Sequence, residues 1–420
     1  MIKKVVDTYN GTSLILRILI GLVVGAVLGL SVPFAGGLAV PGLLFVSALK
    51  ALAPVLVFVL VISSIAQGQA GFDGRFGFVI FEYLLSTFLA AIVAVFFSFA
   101  FPVTLQFAGA EAASGDVPSS IGLVLKNLLV GMISNPIAAI TEANYVAVLF
   151  WAVIFGVLMR RIAADTTKTL FKDLSEILSG AVRQVINLAP FGIMGLVFDS
   201  VSTSGLSIFR DYGKLVLLLV CTMLTVALVL NPLLVFIILR RNPYPLVLHC
   251  IRESGLTAFF TRSSAANIPV NMELCKRLGL NPDIYSVSIP LGSTINMDGA
   301  AVVITIMSLA AANTLNIPVD IPSAIVLSLL STVAACGTSG VAGGSLMLIP
   351  MACSLFGISS DISMQVVGIG FIISVIQDSM ETALNSSGDV IFTATAEYRS
   401  WIKEGKSLPT FLGGNLKLDI

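Results

Sequence analysis

Charge is what this sequence has least of. Of 420 residues only 11% are Asp, Glu, Lys or Arg, against about a quarter in soluble domains. Hydrophobic residues make up 57%, and mean hydropathy is +1.01. So little charge does not cover a water-soluble globule, which excludes that class. The 23 cations balance 23 anions, so no basic field is left over and no nucleic-acid partner is expected. Histidine is almost absent. His249 stands alone, which excludes a histidine-built metal centre and would leave a catalytic triad dependent on that one residue. The five cysteines, Cys221, Cys250, Cys275, Cys336 and Cys353, are scattered and odd in number; they give neither metal-ligand spacing nor a disulfide framework. A nucleotide-phosphate loop is missing as well, since Gly405-Lys406-Ser407 lacks the glycine five residues before Gly405. No nucleophile–base pair is legible, so an enzyme is not expected.

What the chain has is apolar length. Several runs exceed 18 residues, which predicts an all-α, polytopic protein of the lipid bilayer rather than a β-barrel. Lys3 and Lys4 precede the first run, but Arg17 interrupts it and the run continues to Pro33, the pattern of a retained span rather than a cleaved signal. Spans are expected at about 14–33, 41–66, 77–106, a broken fourth at 121–159 interrupted at Asn135-Pro136, then 176–201 and 214–239. Two later segments, 244–276 and 321–358, are apolar at both ends and polar in the middle. The first carries Thr261-Arg262-Ser263-Ser264-Ala265-Ala266-Asn267 and the second the glycine-rich 336–345. Lys and Arg favour the cytoplasmic side. Arg240-Arg241 and Lys276-Arg277 flank the first segment on one side, while 311–377 has no Lys or Arg. Each segment therefore enters and leaves by the same face. The scheme is eight transmembrane helices plus two re-entrant helical hairpins, arranged as inverted repeats, the pattern that points to a secondary transporter's binding site.

Two polar clusters interrupt the apolar pattern. Gly292-Ser293-Thr294-Ile295-Asn296-Met297-Asp298-Gly299 sits in the middle of the apolar run 284–309. Backbone leaves the helix at membrane depth only where it is buried in protein or lines a cavity, and a helix broken there offers carbonyls to a cation and N–H groups to an anion. The last span, about 365–397, carries Asp378, Thr382, Asn385 and Asp389 at spacings of 4, 3 and 4, with Glu381 at the edge. On a helix those four fall within a stripe of about 60°. Each carboxylate at mid-membrane costs about 2.5–3.5 kcal/mol even on the lenient scale, so the stripe needs partners. A structural network with Arg262 as counter-charge accounts for one acid and not for the others. An amino acid fits these parts: Asp378 for an α-amino group, the Ser263/Ser264 tip and Asn385 for an α-carboxylate. Asn296, Asp298, Asp389 and the free carbonyls are hard oxygens of the kind sodium takes.

The Asn296-Met297-Asp298-Gly299 break, the Arg262-Ser263-Ser264 tip, the Gly337-Thr338 tip and the acidic stripe of 378–389 together resemble the dicarboxylate/amino acid:cation symporter family, the glutamate-transporter-like elevator proteins. The resemblance runs over nearly the whole chain and is nearest to the bacterial serine/threonine:sodium symporters. It implies a homotrimer in the bacterial inner membrane, sodium as coupling ion and no organic cofactor, while Lys3 and Lys4 at one end and Arg399, Lys403 and Lys406 at the other place both termini on the cytoplasmic side. It implies a scaffold of about 1–76 and 107–210, a moving transport part of about 77–106 and 211–400, and a cytoplasmic tail at 401–420. A first sodium site would use Asn296, Asn385, Asp389 and the carbonyl of Gly292. A second would use carbonyls of Thr294, Ala335, Cys336 and Thr338 near Met297. A third would use Asp298 and Asn296 with Tyr83, Ser86 and Thr87. The substrate would meet Ser264, Val341, Gly343, Asp378, Thr382 and Asn385.

Three departures set the substrate expectation. Where acidic-substrate members carry an arginine, a threonine and an aspartate, this chain has Glu381, Ala300 and Ser374. A side-chain carboxylate would face a like charge in a low-dielectric pocket. Small neutral amino acids are therefore expected, serine and threonine first, with Glu381 either accepting the substrate hydroxyl or pairing with Arg262. The alternatives are uptake of another small amino acid or a dicarboxylate, coupled to sodium or, through Asp378 or Glu381, to protons. An ion channel comes last, because no symmetric pore-lining span is present.

Overall fold

In lipid every backbone N–H and C=O must find its partner within the chain, so long apolar stretches become helices. A computed structural model describes residues 14–67, 74–107, 133–142, 144–205, 207–336, 338 and 343–417, and no strand occurs among them. The first helices are α1 (Leu14–Ser31), α2 (Val40–Gln67) and α3 (Gly74–Ala100). A short α4 (Pro136–Thr141) follows, capped by Asn135, whose side chain accepts from Ile137 and Ala138 N–H. Then come α5 (Tyr145–Ile162), α6 (Asp165–Asn187) and α7 (Ala189–Ser204). The next span is α8 (Ser207–Thr225), joined through a π-turn at Val226–Leu230 to α9 (Asn231–Leu239).

The first polar-centred segment is a helical hairpin. Its rising arm is α10 (Tyr244–Cys250), a π-turn at Ile251–Gly255, and α11 (Leu256–Thr261); its returning arm is α12 (Ser264–Arg277). The chain reverses at Arg262, which takes a left-handed φ of 51°. The broken span follows as α13 (Pro282–Ile295) and α14 (Asp298–Thr314). The second polar-centred segment has arms α15 (Ile321–Ala335) and, after a 3-10 turn at Ser345–Leu348, α16 (Ile349–Ser354). The last long helix is α17 (Ser360–Lys403), 44 residues without a break, followed by a 3-10 turn at Thr410–Leu412.

Five described stretches are long and apolar enough to cross a bilayer, and six if α6 and α7, bent by 54° at their junction, form one span. Several boundaries differ from the expected ones. The fifth span, expected at 176–201, begins at Asp165, because the first half of α6 is amphipathic and a hydropathy reading registers only its apolar continuation. The third ends at Ala100, before Pro102, and the last reaches Lys403 rather than 397. Of the broken fourth element, 121–132 lie outside the described residues.

α14 and α17 form the centre of the molecule. In their most apolar stretches 94% of the broken span and 72% of α17 are buried, and α3, α8, α13 and both hairpins pack around them. α1 and α2 pack on α7, and α2 also on α5 and α6. Glycine sets the α1–α7 spacing: a side chain at Gly21, Gly25 or Gly29 would run into Pro190, Met194 or Val201, the small-residue contact membrane helices use in place of a hydrophobic drive. Large apolar side chains such as Phe34, Phe96, Ile162 and Phe260 stay exposed, which suits a protein whose outer solvent is lipid. The chain is a helical, multi-pass membrane protein.

Candidate functional site

The break in the central span is built by local chemistry. Ser293 Oγ donates back to the Pro290 carbonyl at 2.7 Å and Thr294 Oγ1 to the Leu291 carbonyl at 2.8 Å. Such back-bonds compete with the helical ladder and weaken its end. Asn296 and Met297 then leave helical geometry, and the chain restarts at Asp298, an acid in the first turn where the helix dipole favours one. The free N–H of Gly299 finds Asn385 Oδ1 at 2.7 Å, so the last helix caps the restarted one. Asn385 Nδ2 in turn lies 3.3 Å from Met297 Sδ.

Asp298 is fully buried and surrounded by donors. Ser86 Oγ donates at 2.5 Å, Thr87 Oγ1 at 3.1 Å and Asn231 Nδ2 at 3.4 Å. Thr87 Oγ1 also accepts from Met297 N–H at 3.2 Å, which ties α3 to the break. Tyr83 behaves differently. Its hydroxyl lies 3.1 Å from the Asp389 carbonyl, 2.9 Å from Thr393 Oγ1 and 3.3 Å from the Ser288 carbonyl, so its side chain sits with Asp389 and away from Asp298.

The second buried acid is left incomplete. Asn296 Nδ2 donates to Asp389 Oδ1 and to the Asn385 carbonyl, each at 3.0 Å. Asn296 Oδ1 and Asp389 Oδ2 are buried and have no hydrogen-bond partner among the described residues. The approach is close: a Cβ at Gly292 would stand 2.6 Å from Asp389 Oδ1 and 2.9 Å from the Tyr83 hydroxyl, and one at Gly388 would stand 2.7 Å from Asn296 Nδ2. A carboxylate oxygen and an amide oxygen, both desolvated and lacking a donor, carry a large penalty unless something positive joins them.

Both hairpin tips converge on one turn of α17. Arg262 Nε donates to Asp378 Oδ2 at 2.7 Å, and Gly343 N–H lies 3.3 Å from Asp378 Oδ1. Gly343 has a left-handed φ of 74°, and a Cβ there would stand 2.9 Å from Phe371. Glu381 accepts from Ser345 Oγ at 2.7 Å and from Gln377 Nε2. Of the two roles read for Glu381, pairing with Arg262 is therefore not the arrangement found, since Arg262 goes to Asp378. Thr382 Oγ1 donates to the Asp378 carbonyl at 2.7 Å, and Ser264 is buried in the first turn of α12. Ser263 spends its oxygen capping α12, accepting from Ala266 N–H at 3.2 Å. The first arm of the second hairpin reaches the break itself: Cys336 Sγ lies 3.6 Å from the Ile295 carbonyl, and the Ala335 carbonyl accepts from Thr338 N–H at 2.9 Å. Val341 lies outside the described residues, as do Gly337, Ser339, Gly340 and Ala342.

Three partners escaped the sequence reading. Asn231 on Asp298 is one amide in an apolar span and had no spacing to mark it. Gln377 and Ser345 on Glu381 come from different elements. A further network, in which Asn267 Nδ2 donates to Ser386 Oγ at 2.7 Å and Asn271 Nδ2 to the Ser386 carbonyl at 3.1 Å, fastens the first hairpin to α17.

The sequence profile of the sodium:dicarboxylate symporter family matches residues 14–398. The chain is 59% identical over 411 residues to the serine/threonine transporter SstT of Bifidobacterium adolescentis, covering 98% of this chain and 95% of that one. It is 54% identical over 401 residues to the protein of that name from Streptococcus thermophilus, with 96% and 100% covered. To that from Streptococcus agalactiae it is 56% identical over 395 residues, with 94% and 98% covered. A central span broken at Asn296-Met297, two hairpin tips meeting at Asp378 and a profile match over nearly the whole length agree: the chain belongs to the sodium:dicarboxylate symporter family.

Proposed function

We propose that this protein imports serine and threonine by sodium symport. The observation that carries the cation half is the pair of buried oxygens without a partner among the described residues, Asn296 Oδ1 in the helix break and Asp389 Oδ2 on α17. With the Gly292 carbonyl and Asn385 they form the proposed first sodium site. Thr294, Ala335, Cys336 and Thr338 carbonyls beside Met297 form the second. Asp298, Asn296, Ser86 and Thr87, with the backbone of Tyr83, form the third. Sodium here is cargo as well as driving force. One ion moving down about 100 mV and a tenfold gradient supplies about 3.7 kcal/mol, enough for several-hundredfold accumulation.

The substrate half rests on the names of the relatives and on the charge of the pocket. The α-carboxylate meets N–H groups at the first turn of α12, around Ser263 and Ser264, and Asn385. The α-amino group meets Asp378, sharing it with Arg262, with Gly343 and Thr382 beside it; Val341 is assigned to the same pocket by the family resemblance alone. Glu381 stands where a side-chain carboxylate would need a cation, and so selects against dicarboxylates. Its bond to Ser345 makes it a latch on the outer tip as well.

The proposed cycle is alternating access of the elevator kind. Eight spans and two hairpins dipping from opposite faces divide into a fixed scaffold (about 1–76 and 107–210) and a moving part (about 77–106 and 211–400). Sodium and substrate bind, the outer tip closes, the moving part crosses, and the inner tip releases the load. The same reading assigns a homotrimer in a bacterial inner membrane with both termini cytoplasmic.

Competition against labelled serine uptake by a panel of unlabelled amino acids tests the pocket. Threonine should compete and aspartate should not. Glu381→Arg combined with Ala300→Thr should move the preference toward aspartate; unchanged serine selectivity in that variant would sink the pocket assignment.

A further inference from the structure

A cavity of about 350 Å³ opens away from the site described above. It lies between α2 and α7 on one side and α8 and the start of α17 on the other, and Ile369, nine residues before Asp378, is on its wall. Its polar equipment is unusual for an apolar surround. Asp199, five residues before the end of α7, lines it and has no hydrogen bond or ion pair to its carboxylate among the described residues. Tyr212, only 5% exposed, also lines it; its hydroxyl meets no strict hydrogen-bond partner among the described residues, and Ser200 is the polar side chain beside it. The neighbouring acid, Asp211, is accounted for: Gln106 Nε2 donates to it at 3.0 Å and Lys214 stands 3.7 Å away. Among the described residues no Lys or Arg lines the cavity. The carbonyl end of α7 adds negative potential, so the polar corner asks for a cation. The remaining wall, with Leu43, Leu196 and Ile369, asks for an apolar body.

We infer that this cavity binds an organic ammonium ion carrying an apolar group, with Asp199 as counter-charge and the Tyr212 oxygen as a second acceptor. An anion or a dicarboxylate finds no counter-charge there. A ligand so placed touches both the proposed scaffold and the proposed moving part and holds them together, so it inhibits transport without competing for the substrate site. Two sources share this chemistry, a free hydrophobic amine and the ethanolamine headgroup of a lipid.

The test uses the full-length protein in phosphatidylglycerol nanodiscs, titrated calorimetrically with 1-adamantylammonium. This readout is independent of what the protein transports. Saturable binding is expected, weakened tenfold or more by Asp199→Asn, weakened less by Tyr212→Phe, and abolished by Leu43→Trp, which fills the cavity from its lipid side. Saturating serine should leave it unchanged. Adding phosphatidylethanolamine separates the sources: weaker amine binding in the wild type but not in Asp199→Asn assigns the cavity to the lipid headgroup, and no change assigns it to the free amine. Equal binding by the wild type, Asp199→Asn and Leu43→Trp, or displacement by serine, overturns the site.

Discussion

Asp389 is the residue on which the proposed cation chemistry turns. One of its oxygens is held by Asn296 and the other by nothing among the described residues. A bonded buried carboxylate contributes about 1.5–3 kcal/mol to its partner, so Asp389→Ala should raise the half-saturating sodium concentration by about ten- to a hundredfold. Sodium titration of serine uptake checks it, and an unchanged sodium curve would remove Asp389 from the site. Asp298 is the contrasting case. Three side-chain donors already serve it, so its charge is balanced by hydrogen bonds and a cation there would share oxygens already in use. Arg262 and Asp378 show why spacing alone did not assign partners. Asp378 and Glu381 are three residues apart on one helix, and only the path of the hairpin decides which acid the guanidinium meets.

At the scale of the element, the close approach of α13 to α17 depends on Gly292. Gly292→Ala would place a methyl 2.6 Å from Asp389 Oδ1, and overpacking of this kind costs about 1–3 kcal/mol. We expect a higher half-saturating sodium concentration in serine uptake, with a fold that still assembles. Gly77→Ala on α3, where an added methyl meets nothing within 4 Å, should leave uptake and thermal stability unchanged. The break and the Arg262 turn were legible in the sequence, because amides, acids and glycines within an apolar run have no inexpensive explanation in lipid. The stripe on α17 was legible because helical spacing is regular. The amphipathic start of α6 was not, since its signal is charge on one face rather than apolar length. Tyr83 was placed near the break only by the family resemblance, and the direction of its hydroxyl, toward Asp389 and Thr393, is set by the packing of α3 on α17.

On the scale of the whole molecule, the proposed cycle requires α2 and α17 to slide past each other. Gly368 on α17 faces Val46 on α2, and a Cβ there would stand 3.6 Å from Val46 Cγ2, within reach of a disulfide. Oxidation of Val46→Cys with Gly368→Cys should stop uptake, and a reductant should restore it. Full activity of the cross-linked protein would mean that these two elements do not move relative to each other.

Coupling to sodium through the broken central span is the claim everything else depends on. Its most direct measurement is labelled serine accumulation in vesicles holding the purified protein, driven in turn by an inward sodium gradient and by a pH gradient without sodium. The account predicts accumulation with the sodium gradient alone, and its loss at ordinary sodium concentrations in Asp389→Ala. Accumulation driven by the pH gradient in the absence of sodium would contradict it.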